Sequence, residues 1–406
     1  MSRRPLRLGI STCPNDTFLF HGLLTGEVEV EAHDVEIELL DVQELNQRLL
    51  DRGASPAFDV AKASYHLALL MADELVALPT GSALGFGNGP LLLARAGLEP
   101  PMPTSSSRVL CPGAHTTAAL LYRLFFPDAA DAEHVIFSDV MPALERGEAD
   151  LGVCIHEGRF TYATSGLGLV EDLGARWEAE TGAPLPLGGI LARRSLPEDT
   201  VEAVQDALRR SLALARARPE ATLESMRRHA QELSDEVLWS HVDLYVNEWT
   251  RDLGDTGRGA LEVLASRAAE AGLMRPGTGL SVYRPLPERR LFHLVADANA
   301  HQLPKAGPLD VPSLAAEGFV HLSFANQLEG TLDAHFRGTE RVALLELDRE
   351  AVTADVRFEA SRGGALFPHL YRPLDLGRDV TGRWTLERSG ASFDLPAGLR
   401  SGGSQG

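Results

Sequence analysis

The sequence predicts an α/β protein built from two lobes, followed by a smaller α+β domain. Up to about residue 283, short apolar runs rich in β-branched residues alternate with longer segments of helical period. This alternation is typical of βα units around a mainly parallel sheet. From about residue 284 the pattern changes to short strands that one helix interrupts, which indicates a separate domain with a mixed or antiparallel sheet.

The first lobe is predicted from three successive βα units. Strands are expected over 6–10, 35–40 and 58–63, and helices up to residue 24, over 43–50 and over 64–71. Asn15 or Asp16 is well placed to cap the first helix. A glycine-rich stretch over 80–89 follows. It matches neither a dinucleotide fingerprint nor a P-loop, because no lysine follows it and it leads into a strand over 90–95.

A second set of βα units begins after a Pro/Ser-rich connector over 99–107. Strands are expected over 108–111, 134–137, 151–155 and 188–194, and helices over 118–126, 142–146, 198–218, 235–250 and 256–271. The last three helices fit packing back on the first lobe. We therefore expect lobe 1 to comprise about 1–95 and 188–283, and lobe 2 about 96–187. Two α/β lobes joined by two crossings form the hinged architecture of solute-binding proteins, a periplasmic-binding-protein-like fold of type II.

The remaining sequence predicts a linker over 284–288, an α+β domain over 289–398 and a flexible tail over 399–406. Its strands are expected over 291–295, 318–324, 341–347, 356–359 and 383–386, with one helix over 326–336. The composition of the tail offers too little apolar surface for it to pack into a core.

Composition excludes several function classes. The chain has 406 residues, and 38 Lys+Arg against 57 Asp+Glu give a net charge of −19. Such a chain repels phosphate backbones unless it carries a basic patch, and none is visible, so nucleic acid is not an expected partner. No run approaches the ~20 apolar residues of a membrane span. Three separated cysteines without CxxC spacing, and an amino terminus without the apolar run of a signal peptide, predict a cytoplasmic protein without disulfides or a zinc site.

Ligands of open α/β sheets bind outside the carboxyl ends of strands, so residues there are candidates for chemistry. They are Ser11, Thr12, Ser64, His115, Thr116, Thr117 and His156. His156 follows an apolar strand and precedes Glu157, and an imidazole that titrates near neutrality is the usual general base. The alternative, that His156 only caps its strand through a backbone hydrogen bond, fits its position equally well.

Two helix starts suggest anion binding. Thr116 and Thr117 precede an amphipathic helix, whose free amides and dipole attract negative charge, although ordinary capping also explains threonine there. Ser64 repeats this arrangement in the first lobe. Lys62 lies two residues before it and is one of only two lysines, the other being Lys305. A solvated surface ammonium is the alternative interpretation of Lys62.

Several separated motifs resemble one known family. They are STCPNDTF near the amino terminus, KASY at 62–65, GSALGFGNGP, PGAHTTA, IHEGRFTY at 155–162 and HAQELSDEVLWSHVDLYVN at 229–247. This set is similar to the 1,4-dihydroxy-6-naphthoate synthase family of the futalosine route to menaquinone. The resemblance runs from about residue 5 to 283, whereas the family usually ends there and this chain continues.

The resemblance implies a lyase that converts cyclic dehypoxanthine futalosine to 1,4-dihydroxy-6-naphthoate on a solute-binding fold that has become catalytic. It places His156 on the family's proposed general base. The substrate-binding positions it implies are Lys62, Ala63 and Ser64 in the first lobe and Thr116 and Thr117 in the second. Proton abstraction beside a carbonyl, followed by elimination that forms an aromatic ring, needs a base and oriented neutral donors, so no cofactor and no metal are expected. No oligomeric state is indicated.

The carboxy-terminal module resembles a small bacterial domain family of unestablished function, whose fold is thought to be related to ADP-ribosyltransferase-like domains. The resemblance rests on LFHLV, EGFVHLS, LLELD and FPHLYRPL. Its polar residues in apolar strand or turn contexts are His293, His321, Ser323 and His369. These could form a small-molecule site, even for a nicotinamide cofactor, or be satisfied core residues in a domain kept for stability or partner binding.

Two other functions fit the same sequence. A non-catalytic protein that binds an acidic aromatic molecule would share the fold, because fold does not imply function. The absence of an export signal and the HEGRFTY motif at a strand end favour chemistry over that alternative. A bifunctional enzyme with a second activity in the carboxy-terminal domain is the other possibility, and no residue there names the activity.

Overall fold

The structure is a computed structural model that describes residues 3–51, 56–97, 102–156, 158–230, 234–286, 289–296, 298–361, 365–390, 392–396 and 399. The chain divides into two compact units, Met1–Tyr283 and Arg284–Gly406. Part of the predicted linker, residues 287 and 288, and nearly all of the predicted tail lie outside the described residues. Among the described helices, none combines the length and the apolar character that crossing a bilayer requires.

The first unit alternates strands and helices over most of its length. Its strands are β1 (Arg4–Ser11), β2 (His33–Leu40), β3 (Val60–Ser64), β4 (Leu75–Ala77), β5 (Ala83–Gly85), β6 (Leu91–Arg95), β7 (Val109–Cys111), β8 (Glu133–His134), β9 (Leu151–Cys154), β10 (Leu167–Asp172) and β11 (Leu185–Arg193). Its helices are α1 (Pro14–Leu19), α2 (His21–Thr25), α3 (Val42–Leu50), α4 (Tyr65–Leu70), α5 (Thr117–Phe125), α6 (Phe137–Glu145), α7 (Gly158–Thr161), α8 (Leu173–Thr181), α9 (Glu198–Ala217), α10 (Pro219–His229), α11 (Asp235–Tyr245), α12 (Glu248–Arg251) and α13 (Gly254–Glu270).

Two sheets with the same strand order form the two lobes of this unit. The first runs β2-β1-β3-β11-β4, and β5 also pairs with β11. The second runs β8-β7-β9-β6-β10. In each sheet one strand, β11 or β6, is antiparallel to all of its neighbours, and the other strands run in one common direction. The reversed strands are those that arrive from the other lobe, which explains why the sheets are mixed where a mainly parallel one was expected.

The first crossing comes earlier than the sequence suggested. We expected lobe 1 to extend to about residue 95, but β6 lies between β9 and β10 in the second sheet. Residues Leu91 to Ala94 of β6 are all buried, on both faces of the sheet. Such a continuous apolar run is typical of a central strand with other elements packed on both faces. The crossing therefore falls within the glycine-rich stretch. There, a Cβ atom on Gly89 would lie 2.2 Å from the Cα atom of Gly174, so α8 can pack this closely only against glycine.

The long helices after β11 pack on the first lobe, as predicted. Helix α9 buries Val204, Leu208 and Leu212 in the same cluster as Leu8 and Ile10 of β1. Each such leucine or isoleucine stabilises the fold by about 1.5–3 kcal/mol as an upper estimate. This packing holds the segment that follows the second crossing against the first sheet.

One predicted helix cap is wrong. Helix α1 begins with Pro14 in its first turn, where proline's fixed φ suits a helix and its missing N–H costs nothing, and Cys13 occupies the cap position. Asn15 and Asp16 lie inside the helix, and both are buried. Their polar side chains are engaged in the cleft described below.

The second unit is sheet-rich and antiparallel throughout its described pairs. The strands are β12 (Leu291–Ala296), β13 (Val320–His321), β14 (Ser323–Phe324), β15 (Arg341–Leu347), β16 (Val356–Ala360), β17 (Leu366–Leu370), β18 (Val380–Ser389) and β19 (Ser392–Phe393), and the helices are α14 (Pro312–Glu317), α15 (Leu328–His335) and α16 (Arg349–Val352). One sheet runs β14-β12-β15-β18-β19 and the other β13-β17-β16. The mixed α+β character agrees with expectation, and the three helices exceed the single one expected.

Candidate active site

A cleft between the two sheets of the first unit gathers the predicted site residues. It contains about 640 Å³ of space, including its open mouth. Its lining includes all six residues that the family resemblance implies: Lys62, Ala63, Ser64, Thr116, Thr117 and His156. Ser11 also lines it, whereas Thr12 and His115 are not part of the lining. The strand ends of both sheets therefore bring these predicted residues to one cleft.

His156 stands in the cleft on a strained piece of backbone. It follows β9 with a φ of +56°, a left-handed conformation that non-glycine residues rarely adopt and that costs about 1–3 kcal/mol. The edge of its ring meets Phe137 at a centroid distance of 4.9 Å. The Sγ atom of Cys13 lies 3.4 Å from Nδ1 and 3.6 Å from Nε2. A sulfur nearly equidistant from both nitrogens is aligned with the lone pair of neither.

The surroundings of His156 keep its imidazole neutral. Burial in the cleft lowers the pKa of His156 to about 4, with the Lys62 ammonium adding to the shift and the Asp16 carboxylate opposing it. A neutral imidazole has a free lone pair at pH 7, which a general base needs. Glu157, the neighbour considered from the sequence, lies outside the described residues.

Lys62 is bound in a buried ion pair. Its Nζ atom lies 2.7 Å from Oδ1 of Asp16, and the two side chains are 7% and 1% exposed. The same carboxylate accepts hydrogen bonds from Ser11 Oγ at 2.6 Å and Asn15 Nδ2 at 2.8 Å. The ammonium lines the cleft, but its charge is already balanced inside the protein, so it is not the solvated surface cation that was the alternative.

The hydroxyl groups of Thr116 and Thr117 are occupied by the protein itself. Thr116 Oγ1 accepts from the backbone N–H of Ala119 and donates to the carbonyl oxygen of Gly113, as a helix cap does. Thr117 Oγ1 donates to the carbonyl oxygen of Leu187 at 2.7 Å. What this helix start offers to a ligand is therefore its first backbone amides and the positive end of the α5 dipole.

Ser64 presents a hydroxyl donor from the opposite wall. Its Oγ atom accepts from Asn46 Nδ2 at 3.1 Å, and its backbone N–H donates to Asn46 Oδ1 at 3.1 Å. These two bonds fix the residue and leave the hydroxyl hydrogen of Ser64 to donate elsewhere. Ala63 adds only small apolar surface to the lining.

The sequence reasoning missed the contribution of helix α11. His241 and Tyr245 from this helix line the cleft, as do Asn15 and Asn88. A histidine on the buried face of an amphipathic helix is indistinguishable from a core residue by its spacing. The only signal was the motif at 229–247, which the family resemblance included without assigning a role to any residue in it.

The second unit has a cavity of its own. All four candidates, His293, His321, Ser323 and His369, line a space of about 1460 Å³ including its open mouth. His293 Nδ1 donates to the carbonyl oxygen of His321 at 2.9 Å, and burial lowers the pKa of His293. His369 contacts Glu359 Oε2 through Nδ1 at 2.8 Å and stacks on Phe319 at 4.2 Å. These residues are thus partnered and also face one cavity.

Comparisons with known proteins match the two units separately. A family model described as menaquinone biosynthesis matches residues 6–270, and a model for a family of unknown function matches residues 294–381. A 1,4-dihydroxy-6-naphthoate synthase of Thermus thermophilus is 46% identical over 271 residues, which cover 67% of this chain and 96% of that protein. One from Streptomyces coelicolor is 40% identical over 279 residues, covering 68% and 96%.

A solved structure bears on the fold. The ligand-binding component of an ABC-type import system from Staphylococcus aureus superposes with a TM-score of 0.52 at 11% identity, covering 70% of this chain and 97% of that one. An identity this low shows the fold alone. The periplasmic-binding-protein-like architecture expected for the first unit is thereby confirmed.

Proposed function

The chain belongs to the menaquinone biosynthesis family, with 1,4-dihydroxy-6-naphthoate synthases as its relatives, and on this premise we propose a specific reaction for its first unit. The unit is a carbon–carbon lyase that converts cyclic dehypoxanthine futalosine to 1,4-dihydroxy-6-naphthoate. Residues 1–283 form the catalytic part, and residues 289–398 form a separate domain behind the linker 284–288. The protein acts in the reducing cytoplasm, which its three buried cysteines support, because none of these described residues forms a disulfide.

The observation that carries the proposal is His156. Its neutral imidazole is held in the cleft by a strained backbone, among residues that the family motifs had selected. In the proposed reaction a ring nitrogen of His156 takes the proton beside a carbonyl. The electron pair of that C–H bond becomes the new ring double bond, and the ring becomes aromatic. The carbon–carbon bond to the departing fragment breaks, its electron pair leaves with that fragment, and the fragment takes the proton back from the imidazolium of His156. An anionic substrate beside the imidazole raises the pKa of His156 toward the working pH, which strengthens the base at the moment it is needed.

Neutral groups position the substrate in this scheme. The hydroxyl of Ser64 and the first amides of α5 lie on opposite walls and offer donors to a carboxylate or carbonyl oxygen. Lys62 contributes a field that is largely balanced by Asp16. Positioning by donors that are already fixed costs little reorganisation when the substrate arrives.

The test is a product assay with the purified full chain. The wild type incubated with cyclic dehypoxanthine futalosine is expected to release dihydroxynaphthoate, followed by absorbance or mass. His156→Ala should lose 100-fold or more of kcat while still binding substrate. His134→Ala, an exposed histidine of the same lobe, is the matched control and should behave as the wild type. No turnover by folded wild type would sink the reaction, and near-native rates in His156→Ala would remove that residue as the base.

The cavity of the second unit favours a further, ligand-binding function, and the whole chain would then be bifunctional. The supporting observation is that four polar residues chosen from the sequence line one space. Calorimetric titration of the full chain with NAD tests the nicotinamide hypothesis, with His369→Ala as the comparison. Absence of binding at millimolar NAD ends it, and equal binding by His369→Ala would place the ligand elsewhere.

A further inference from the structure

His241 is a buried histidine of the cleft for which the proposed reaction has no role so far. It lies on α11, is 0% exposed and forms part of the cleft lining. Its ring is nearly parallel to that of His156, with the two centroids 6.1 Å apart, and it packs against Tyr245 at 4.5 Å. The residue is therefore beside the group proposed as the base.

A chain of hydrogen bonds fixes which nitrogen of His241 carries the proton. The carboxylate of Asp16 can only accept, so the group of Asn15 that faces it at 2.8 Å must be the amide Nδ2. This orientation turns Asn15 Oδ1 toward His241 Nε2, which lies 3.0 Å away. Because an amide oxygen can only accept, Nε2 must hold the hydrogen. The ion pair with Lys62 holds the Asp16 carboxylate in place at the end of this chain.

The other nitrogen of His241 is then a bare acceptor. Burial, with His156 and Lys62 nearby, holds the pKa of His241 well below its usual value, so the ring is neutral and Nδ1 carries a lone pair. Among the residues that the structure describes, Nδ1 has no hydrogen-bond partner, and it is shielded from solvent. Buried polar atoms nearly always have partners, and a bare acceptor calls for an O–H or N–H donor.

We propose that His241 orients the substrate by accepting a hydrogen bond at Nδ1 from one of the substrate's hydroxyl groups. This inference rests on the proposed function, because it takes the ligand of the cleft to be a hydroxylated ring compound. His241 is then a substrate-contacting residue. Asn15, Asp16 and Lys62 together stabilise the tautomer of His241 that carries its hydrogen on Nε2 and leaves Nδ1 free to accept.

Three variants of His241 distinguish the contributions of its two ring nitrogens to activity. His241→Asn places an amide oxygen near the Nδ1 position, His241→Gln reaches Asn15 in place of Nε2, and His241→Phe keeps only the ring shape. We expect kcat/KM to fall about tenfold or more in the Gln and Phe variants, as for the loss of one buried hydrogen bond, and to be largely retained in the Asn variant. His229→Gln, outside the cleft, is the control. Equal activity of the Gln variant and the wild type would overturn the proposal.

A spectroscopic measurement keeps the proposal testable if a variant fails to fold. In wild-type protein with ¹⁵N-labelled histidine, Nε2 of His241 should be protonated and Nδ1 unprotonated, and added 1,4-dihydroxy-6-naphthoate should shift the Nδ1 resonance upfield. A proton on Nδ1, or an Nδ1 resonance unchanged at saturation because a trapped water already fills the site, would overturn it. Failure of the proposed function would appear separately, as wild-type protein that forms no product.

Discussion

Replacement of Lys62 by methionine tests whether the buried ion pair holds the cleft together. Methionine has a similar length and no charge, so the change removes the ammonium with little loss of volume. Asp16, 1% exposed, would keep hydrogen bonds from Ser11 and Asn15 but lose its only ionic partner among the described residues. If Lys62 mainly served the substrate, the variant would be as stable as the wild type and differ only in KM.

The expected cost follows from the geometry of the pair. The two atoms are 2.7 Å apart and both side chains are almost fully buried, and breaking such a pair typically destabilises a protein by about 3–5 kcal/mol. An unfolding entropy of about 2.1 cal/mol/K per residue gives roughly 0.6 kcal/mol/K for the unit Met1–Tyr283. The transition of this unit should therefore fall by about 5–8 °C.

Calorimetric and urea-induced unfolding of the full chain measure this loss. Lys305→Met, at an exposed position in the second unit, controls for the removal of a lysine and should leave the first transition unchanged. The double variant Lys62→Met/Asp16→Leu removes both charges and should recover much of the loss, because no charge is left buried.

Two outcomes would refute this reasoning. A Lys62→Met transition within about 1 °C of the wild type would show that the pair contributes no net stability, and the residue would return to the role of a substrate contact alone. A double variant less stable than either single variant would show that the site requires charge. The first result would also remove the anchor from the hydrogen-bond chain that ends at His241.

Four further predictions concern the pH dependence of stability, the pH dependence of activity, helix capping and salt. Folding holds the pKa of His156 at about 4, against 6.5 in the unfolded chain, so the unfolded chain binds more protons between these two pH values. The free energy of unfolding should therefore fall as pH drops from 6.5 to 4, and it should fall less in His156→Gln. A urea midpoint that rises over this pH range would contradict the assignment. The acid limb of kcat/KM should lie below pH 6 for the same reason, and a limb near pH 7 would point to another base. Thr116→Ala should lower the free energy of unfolding by about 1 kcal/mol and change KM little, because the Thr116 hydroxyl caps α5. Unchanged stability together with a raised KM would make Thr116 a ligand contact. KM for the anionic substrate should fall as NaCl is raised from 50 to 500 mM, because salt screens the repulsion of a chain of net charge −19; a KM that rises with salt would reveal a cationic contact.

Much of the fold was accessible from the sequence because the strands are apolar runs between polar loops. Strands β1, β2 and β3 and helix α3 were predicted to within two residues, since each has a clear period and a clear end. Strand β10 and helix α8 were missed. The burial of β10 is only partial, and Asp172 caps α8 from the last residue of the strand, so neither element has a separating turn signal in the sequence.

The errors near crossings have a common cause. Periodicity reports that a segment is a buried strand, but it does not report which sheet buries it. Strand β6 is as apolar as a strand of the first lobe, and only its pairing with β9 and β10 shows that it belongs to the second. Helix α6 begins at Phe137, before Pro142, because the chain tolerates a proline inside this helix where we expected it to mark the start.

The site was predictable at the level of position but not of role. Strand-end geometry brought Lys62, Ser64, Thr117 and His156 to one cleft. Strand-end geometry could not show that the Thr117 hydroxyl donates to the carbonyl oxygen of Leu187, or that Lys62 forms an ion pair with Asp16. Both partners are remote in sequence and become neighbours only through folding. Roles of polar side chains depend on such partners, and single positions do not encode them.

The cleft as a whole is close to electrically neutral, and this suits the proposed chemistry. Its one described lysine is balanced by Asp16, and its two imidazoles are held neutral by burial. A cationic site would bind a carboxylate more tightly in the ground state, but it would also hold the pKa of the imidazole further down and weaken the base. Neutral donors avoid that penalty. The acidic surface and the uncharged cleft are therefore both compatible with the proposed reaction, in which recognition depends on directed hydrogen bonds and the changing charge is confined to His156 and the substrate.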